Sequence, residues 1–247
     1  MNTVTGLWRH PLKSHGREER EEITLNAGEA MPFDRLWAVA HEASRADGAE
    51  WVSCANFSRV SKAPELMAIT SKLDESAGVL TLSHPNRPDL TFNPDADTAT
   101  FIKWVMPIVP SDRALPSRII RLEGRGFTDS DFPSVTLCNR ASHRAVEVQV
   151  GHDLSMQRWR GNIWFESEDP WVESDWIGRD LAIGDCILRP RERTDRCLAT
   201  HTNPDTGTRD IDILAALDHF GHQDFSVRAE VIKGGRITRG DQIRVLA

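Results

Sequence analysis

Arg196-Cys197-Leu198-Ala199-Thr200-His201-Thr202-Asn203-Pro204-Asp205-Thr206-Gly207-Thr208-Arg209-Asp210 is the stretch around which this chain is organised. A thiol beside a guanidinium is followed by Asn203-Pro204-Asp205-Thr206-Gly207, residues that favour tight turns, and then by the start of a helical pattern. A neighbouring positive charge favours the thiolate, the form that binds soft metals or attacks sulfur, so Cys197 is a candidate metal ligand or nucleophile. The competing reading of any free cysteine is a small packing residue.

Outward from this stretch, Arg160-Gly161-Asn162-Ile163 precedes it, and Trp176-Ile177-Gly178 leads into Leu181-Ala182-Ile183-Gly184-Asp185. In this order the phrases resemble a MOSC domain, the module named from the C-terminus of molybdenum cofactor sulfurase. At the front, His10-Pro11-Leu12-Lys13-Ser14 and Asp34-Arg35-Leu36-Trp37 resemble the β-barrel domain that precedes it in the mitochondrial amidoxime-reducing component and its bacterial relatives. The resemblance implies a mainly β (α+β) chain with few short helices. A smaller MOSC N-terminal β-barrel-like domain is expected over 1–95 and a MOSC β-barrel domain over 96–247.

It also implies a molybdenum cofactor, molybdenum held by molybdopterin, with Cys197 as metal ligand and catalytic residue. Lys13, Ser14 and Arg35 match family positions that contact the pterin and its phosphate, and Arg160, Asn162 and Arg196 match others that reach the cofactor. Asn139 and Ser142 are added because the corresponding loop in relatives lines the cofactor. Lysine and arginine suit a phosphate because both donate charge-assisted hydrogen bonds, arginine bidentately. The sequence departs from its relatives over 48–62, where Trp51-Val52-Ser53-Cys54-Ala55-Asn56-Phe57-Ser58-Arg59 stands in place of the Thr-Ala-Arg-like or arginine-rich run that family members often carry, and at Phe225-Ser226, where relatives often have Phe-Gly.

Composition bounds the function independently. With 39% hydrophobic and 27% charged residues over 247 positions, the chain reads as globular, with room for one large or two ordinary domains. A net charge of -7 argues against nucleic acid as partner, although an anionic cofactor still needs a local basic pocket. No apolar run approaches the ~20 residues of a membrane helix, and Met1-Asn2-Thr3-Val4 carries no signal pattern, so the expectation is no membrane partner and a cytoplasmic location. Cys54, Cys138, Cys186 and Cys197 are too scattered for a zinc or disulfide framework. Cys138 and Cys186 fall in strand-like runs as packing residues.

The patterning predicts strands at 3–8, 23–25 and 36–40, a hairpin of 68–70 with 79–82, and a strand at 90–92. After the Pro/Asp-rich 93–97 patch, where the domains change, Phe101, Trp104 and Val105 form one helical stripe ending before Pro107. Further strands are expected at 118–122, 135–137, 186–188, 227–232 and 242–246. A mobile loop is expected at 124–129, a helix capped by Asn139, and another carrying Ile213, Leu214 and Leu217. Gly184-Asp185 and Gly240-Asp241 read as matching barrel corners.

Three functions follow. By resemblance, the first is a molybdenum oxidoreductase that reduces small N-hydroxylated compounds such as amidoximes and hydroxylamines. Its electrons would come from a separate iron–sulfur or flavin protein, because the cysteines are not cluster-like. The second is a non-catalytic carrier of molybdenum cofactor or of persulfide sulfur on Cys197. The third, a Cys197–His201 hydrolase, lacks an orienting acid or oxyanion motif.

Overall fold

A computed structural model describes residues 2–246. Seven strands follow one another through the first two-fifths of the chain: β1 (Asn2–Arg9), β2 (Glu18–Arg20), β3 (Glu22–Leu25), β4 (Trp37–His41), β5 (Thr70–Asp74), β6 (Val79–His84) and β7 (Arg87–Phe92). Helix α1 (Thr98–Val105) and β8 (Pro116–Arg121) come next, then β9 (Val135–Asn139), α2 (Arg140–Val150), β10 (Ile163–Glu166), β11 (Leu181–Ile183) and β12 (Cys186–Asp195). Helix α3 (Ile213–Asp218) precedes β13 (Asp224–Lys233), β14 (Gly235–Thr238) and β15 (Gln242–Val245).

Seven strands close into a barrel in the order β10-β9-β13-β12-β11-β15-β1, and β1 shuts the ring by pairing with β10. Leu7 lies opposite Ile163, and Val4 opposite Phe165. The β9–β10 pair is parallel, which requires a crossover, and α2 is that crossover. The other pairs of the ring are antiparallel. Alternation along the strands fills the interior with Leu7, Leu137, Ile163, Leu181, Leu188, Val227 and Ala229, all fully buried. Outside the wall, α2 and α3 cover a second cluster in which Trp159 stacks on Phe225 with ring centroids 3.7 Å apart.

The other unit is a β5-β6-β7 meander, α1 and a separate β4–β8 pair, packed around Leu80, Leu82, Phe92 and Phe101. Helix α1 buries Phe101, Trp104 and Val105, the stripe the sequence predicts. Asn139 caps α2 by accepting from the Ala141 N–H at 2.8 Å. Three expectations change. The first hairpin strand starts at Thr70, because Pro64–Ala68 forms a 3-10 turn. The strand at 186 runs ten residues, to Asp195. The 124–129 segment is packed rather than loose: Phe127 is fully buried and its N–H donates to the Arg35 carbonyl at 2.8 Å. Among the described residues no helix is long and apolar enough to cross a membrane.

The 203–207 turn joins the two units. Arg17 donates to the Met67 carbonyl at 2.7 Å and the Pro204 carbonyl at 3.3 Å, and Arg209 donates to the Ser61 carbonyl at 2.7 Å. Asn203 closes the turn by accepting from the Asp205 N–H at 2.9 Å and donating to Asp210 at 3.0 Å. A Cβ on Gly207 would lie 2.8 Å from the Glu65 Cα, so the turn needs glycine there to sit against the 3-10 turn. Cys197, between β12 and this turn, is thereby held at the seam.

Candidate functional site

At the seam lies a cavity of about 210 Å³. Seven of its lining side chains are cationic (Lys13, Arg35, Arg59, Arg158, Arg160, Arg196 and Arg228) and two are acidic (Asp129 and Asp195), the reverse of the chain's net charge of -7. The cavity is therefore a local basic pocket in an acidic protein.

Each wall is built by a different element. The loop after β1 brings Lys13 and Ser14, with Lys13 Nζ donating to the Phe127 carbonyl at 2.7 Å and to Asp129 Oδ1 at 2.6 Å. Burial pushes the Asp129 carboxyl up, but Lys13 outweighs it and holds the group below its ordinary range. Arg35 stands before β4. It bonds the Asp34 carboxylate with one arm and reaches the Arg160 carbonyl at 2.8 Å with the other. Asp34 in turn accepts from the His10 N–H at 2.8 Å, and burial together with the Arg160 and Arg35 charges pushes His10 down to about 3. That imidazole is neutral wherever the fold is intact at ordinary pH.

The 3-10 turn Met156–Trp159 supplies the floor. Arg158 is fixed by Asp210 at 2.7 Å, and Arg160 Nη2 donates to the Gly16 carbonyl at 3.2 Å. Burial, reinforced by Arg35 and Arg17, pushes Arg160 down to about 9, which still leaves it cationic at neutral pH. Arg196 lies over the Trp159 ring at 5.5 Å and donates to the Trp159 carbonyl at 2.5 Å. Arg158 Nε, Arg160 Nη1, Arg196 Nε and Thr194 Oγ1 are buried without a hydrogen-bond partner. Buried donors are ordinarily satisfied, so these four are open to a partner that enters the cavity. Cys197 is exposed and lines the same cavity.

The structure thus brings together Lys13, Ser14, Arg35, Arg160, Asn162, Arg196 and Cys197. Asn162 also stitches the barrel, accepting from the Thr136 N–H at 3.1 Å and donating to the Trp8 carbonyl at 3.2 Å. Asn139 and Ser142 are not there, which corrects the expectation from the loop. Asn139 Nδ2 donates to Glu173 at 2.8 Å and Ser142 Oγ at 3.0 Å, so both anchor a buried carboxylate beneath the 167–176 turn instead. Burial pushes the Cys138 thiol up to about 12 and Cys186 up to about 11, as packing residues behave. His201 Nε2 faces Asp212 at 3.3 Å rather than Cys197, leaving the hydrolase pair unformed.

Sequence reasoning missed Cys54, Arg59, Arg158, Asp129 and Arg228 as cavity residues. Arg158 stood two places from Arg160 in a basic and aromatic run. Arg228 follows ordinary strand alternation and carries no local signal.

Fold and site together define a class: a closed β-barrel protein whose arginine-rich cavity opens beside an exposed thiol. Residues 1–106 match the MOSC N-terminal beta barrel domain and residues 126–244 match the MOSC domain. The chain therefore belongs to the MOSC family, and MOSC domains are associated with molybdenum cofactor binding. Among solved structures, the YuaD protein from Bacillus subtilis is similar at 10% identity and a TM-score of 0.48, covering 99% of this chain and 96% of its own. YiiM from Geobacillus stearothermophilus is similar at 16% identity and a TM-score of 0.35, covering 46% of this chain and 54% of its own. No curated protein matches.

The donors present fit a phosphorylated, thiolate-ligated metal cofactor. The orphaned guanidinium nitrogens suit an anion, and an exposed thiol suits a soft metal.

Proposed function

We propose that this cavity binds the molybdenum cofactor with Cys197 as metal ligand, and that the protein reduces small N-hydroxylated compounds such as amidoximes. The observation that carries the reading is the meeting, in one cavity, of an exposed cysteine with buried arginine nitrogens that have no partner in the protein. When bound, the cofactor would supply two-electron oxygen-atom transfer, chemistry that protein side chains lack. The chain's own part is binding and orientation. Arg160, Arg158 and Arg196 would offer N–H groups to the phosphate and pterin, Lys13 and Arg35 would add charge, and the exposed Cys197 would ligate the metal.

Reduction of an N-hydroxyl group consumes two electrons and two protons and releases water, so a donor is required. The scattered cysteines, two of them buried as packing residues, suit a separate iron–sulfur or flavin protein in that role. A carrier of persulfide alone would have no use for the buried arginines, which weighs against that half of the second reading, whereas a carrier of the cofactor itself would use them in the same way.

The test is elemental molybdenum and released-pterin fluorescence on protein from a host that makes the cofactor, followed by benzamidoxime reduction with a surrogate donor. Near-stoichiometric metal and pterin are expected. Cys197→Ser should lose the metal and at least 100-fold in activity with an unchanged circular dichroism spectrum, since the side chain is exposed. Retained activity in this variant would remove the ligand assignment. A persulfide on Cys197 in metal-free protein would turn the case toward the carrier.

A further inference from the structure

The cofactor reading gives tasks to Arg35, Arg158, Arg160 and Arg196 and leaves two cavity arginines without one, Arg228, which is paired with Glu192 and Asp195, and Arg59. Arg59 comes from the other unit, which lines the cavity with Cys54, Arg59 and Ser61. Its Nη1 donates to Cys54 Sγ at 3.1 Å, and among the described residues no carboxylate lies within 4.0 Å of it. Arg160 and Arg196, likewise without a carboxylate, each donate to a backbone carbonyl, that of Gly16 and that of Trp159, and the other four cationic groups are neutralised. Lys13 has Asp129 at 2.6 Å, Arg158 has Asp210 at 2.7 Å, Arg228 has Asp195 at 2.9 Å, and Arg35 has Asp34.

Nor does Arg59 do what structural arginines do elsewhere in this chain. Arg17 donates to the carbonyls of Met67 and Ile69, and Arg118 to those of Ser44 and Ala46, so each clamps backbone. Arg59 clamps none, and a single thiol contact leaves most of its five N–H donors free. It is half-buried, held in place by Cys54 and open to the cavity. A planar guanidinium of this kind, partly desolvated and lacking a counter-charge, is matched by a carboxylate, which it can bind bidentately.

We propose that Arg59 is a specificity residue that selects substrates carrying a carboxylate, so that the N-hydroxylated compound reduced at this site is an anion. This rests on the reductase reading. Cys54 acts as a positioning residue that steadies the guanidinium toward the cavity.

The experiment compares 4-carboxybenzamidoxime with benzamidoxime on molybdenum-loaded protein, as the ratio of their kcat/KM values. The ratio is expected to favour the carboxylated compound by about tenfold or more, the scale of a hydrogen-bonded charge pair, to fall about tenfold in Arg59→Gln, and to be partly kept in Arg59→Lys. A ratio near one, or one that Arg59→Gln leaves unchanged, overturns the proposal. A second readout needs no turnover. Benzoate is titrated against the loaded protein by tryptophan fluorescence, since Trp159 lines the cavity, and Arg59→Gln should weaken binding about tenfold. If neither amidoxime is reduced, the reductase reading fails, and the benzoate titration still decides on Arg59. Benzoate binding that survives Arg59→Gln but is lost in Arg160→Gln would place the anion on the floor and overturn the assignment.

Discussion

At the scale of single residues, the site is written in backbone strain. Among the described residues six other than glycine have positive φ, and three of them, Ser14 at 65°, Arg35 at 53° and Arg160 at 51°, line the cavity. Each costs about 1–3 kcal/mol and persists only where its surroundings over-determine it. Here they do: Arg35 N–H donates to the His10 carbonyl at 2.8 Å, and Arg160 is followed by Gly161, where a Cβ would lie 2.1 Å from Cys138 Sγ. Ser226 is the contrasting case. It has φ 75° outside the cavity lining, at the place where the family often has glycine. Relieving a left-handed conformation recovers about 1–2 kcal/mol, and the greater freedom of glycine in the unfolded chain takes back about 0.4–1 kcal/mol. Ser226→Gly is therefore expected to stabilise the protein by up to about 1.6 kcal/mol, read as a higher urea midpoint at constant slope. A lower midpoint would mean that the hydroxyl contributes more than the strain costs.

At the scale of elements, the turn after Cys197 shows what was legible and what was not. The residues 203–207 announced a tight turn, because asparagine, proline and glycine each limit the backbone in a known way. Nothing local announced that the turn docks on the far unit through Arg17 and Gly207. Helices α1 and α2 were equally readable, from an apolar stripe and an asparagine cap. Strand β12 was read as three residues and runs to ten, because Arg189, Pro190, Arg191 and Arg193 mask its pattern. Their charges face outward, Arg189 onto Asp180 at 2.7 Å and Arg191 onto Glu230 at 2.6 Å, while Leu188 and Pro190 point in. The docking makes a prediction for Gly207→Ala. A left-handed φ of 71° and a Cβ 2.8 Å from Glu65 Cα combine two penalties, each of about 1–2 kcal/mol or more. A loss of about 2–4 kcal/mol is expected, together with lower molybdenum occupancy, since the turn holds the Cys197 segment at the seam. Native stability in this variant would show that the turn rides on the surface without bearing on it.

At the scale of the whole molecule, what sequence left open is which strand meets which. Period-two alternation identifies strands but says nothing of partners, and the pairing that closes the barrel joins Val4 and Leu7 to Phe165 and Ile163, across more than half of the chain. Strand β14 likewise pairs with β3 in a two-stranded sheet of their own, whose Ile23, Leu25 and Ile237 pack into the barrel's core cluster. The functional site inherits this weave, because Lys13 and Ser14 enter the cavity on the loop that leaves β1. A fragment of residues 112–247 keeps six of the seven barrel strands and lacks β1, leaving β15 and β10 as two unpaired edges. Open edges present unpaired N–H and C=O groups to other chains, and only closure removes them. The fragment alone is expected to aggregate or to lose its tertiary near-ultraviolet signal, while a peptide of residues 1–20, which carries β1 and β2, should restore a one-to-one soluble complex on size exclusion. A fragment that is monomeric and fully folded without the peptide would show that β1 lies against a barrel already complete, and that the cavity's lysine wall is an addition to the fold rather than a consequence of how it closes.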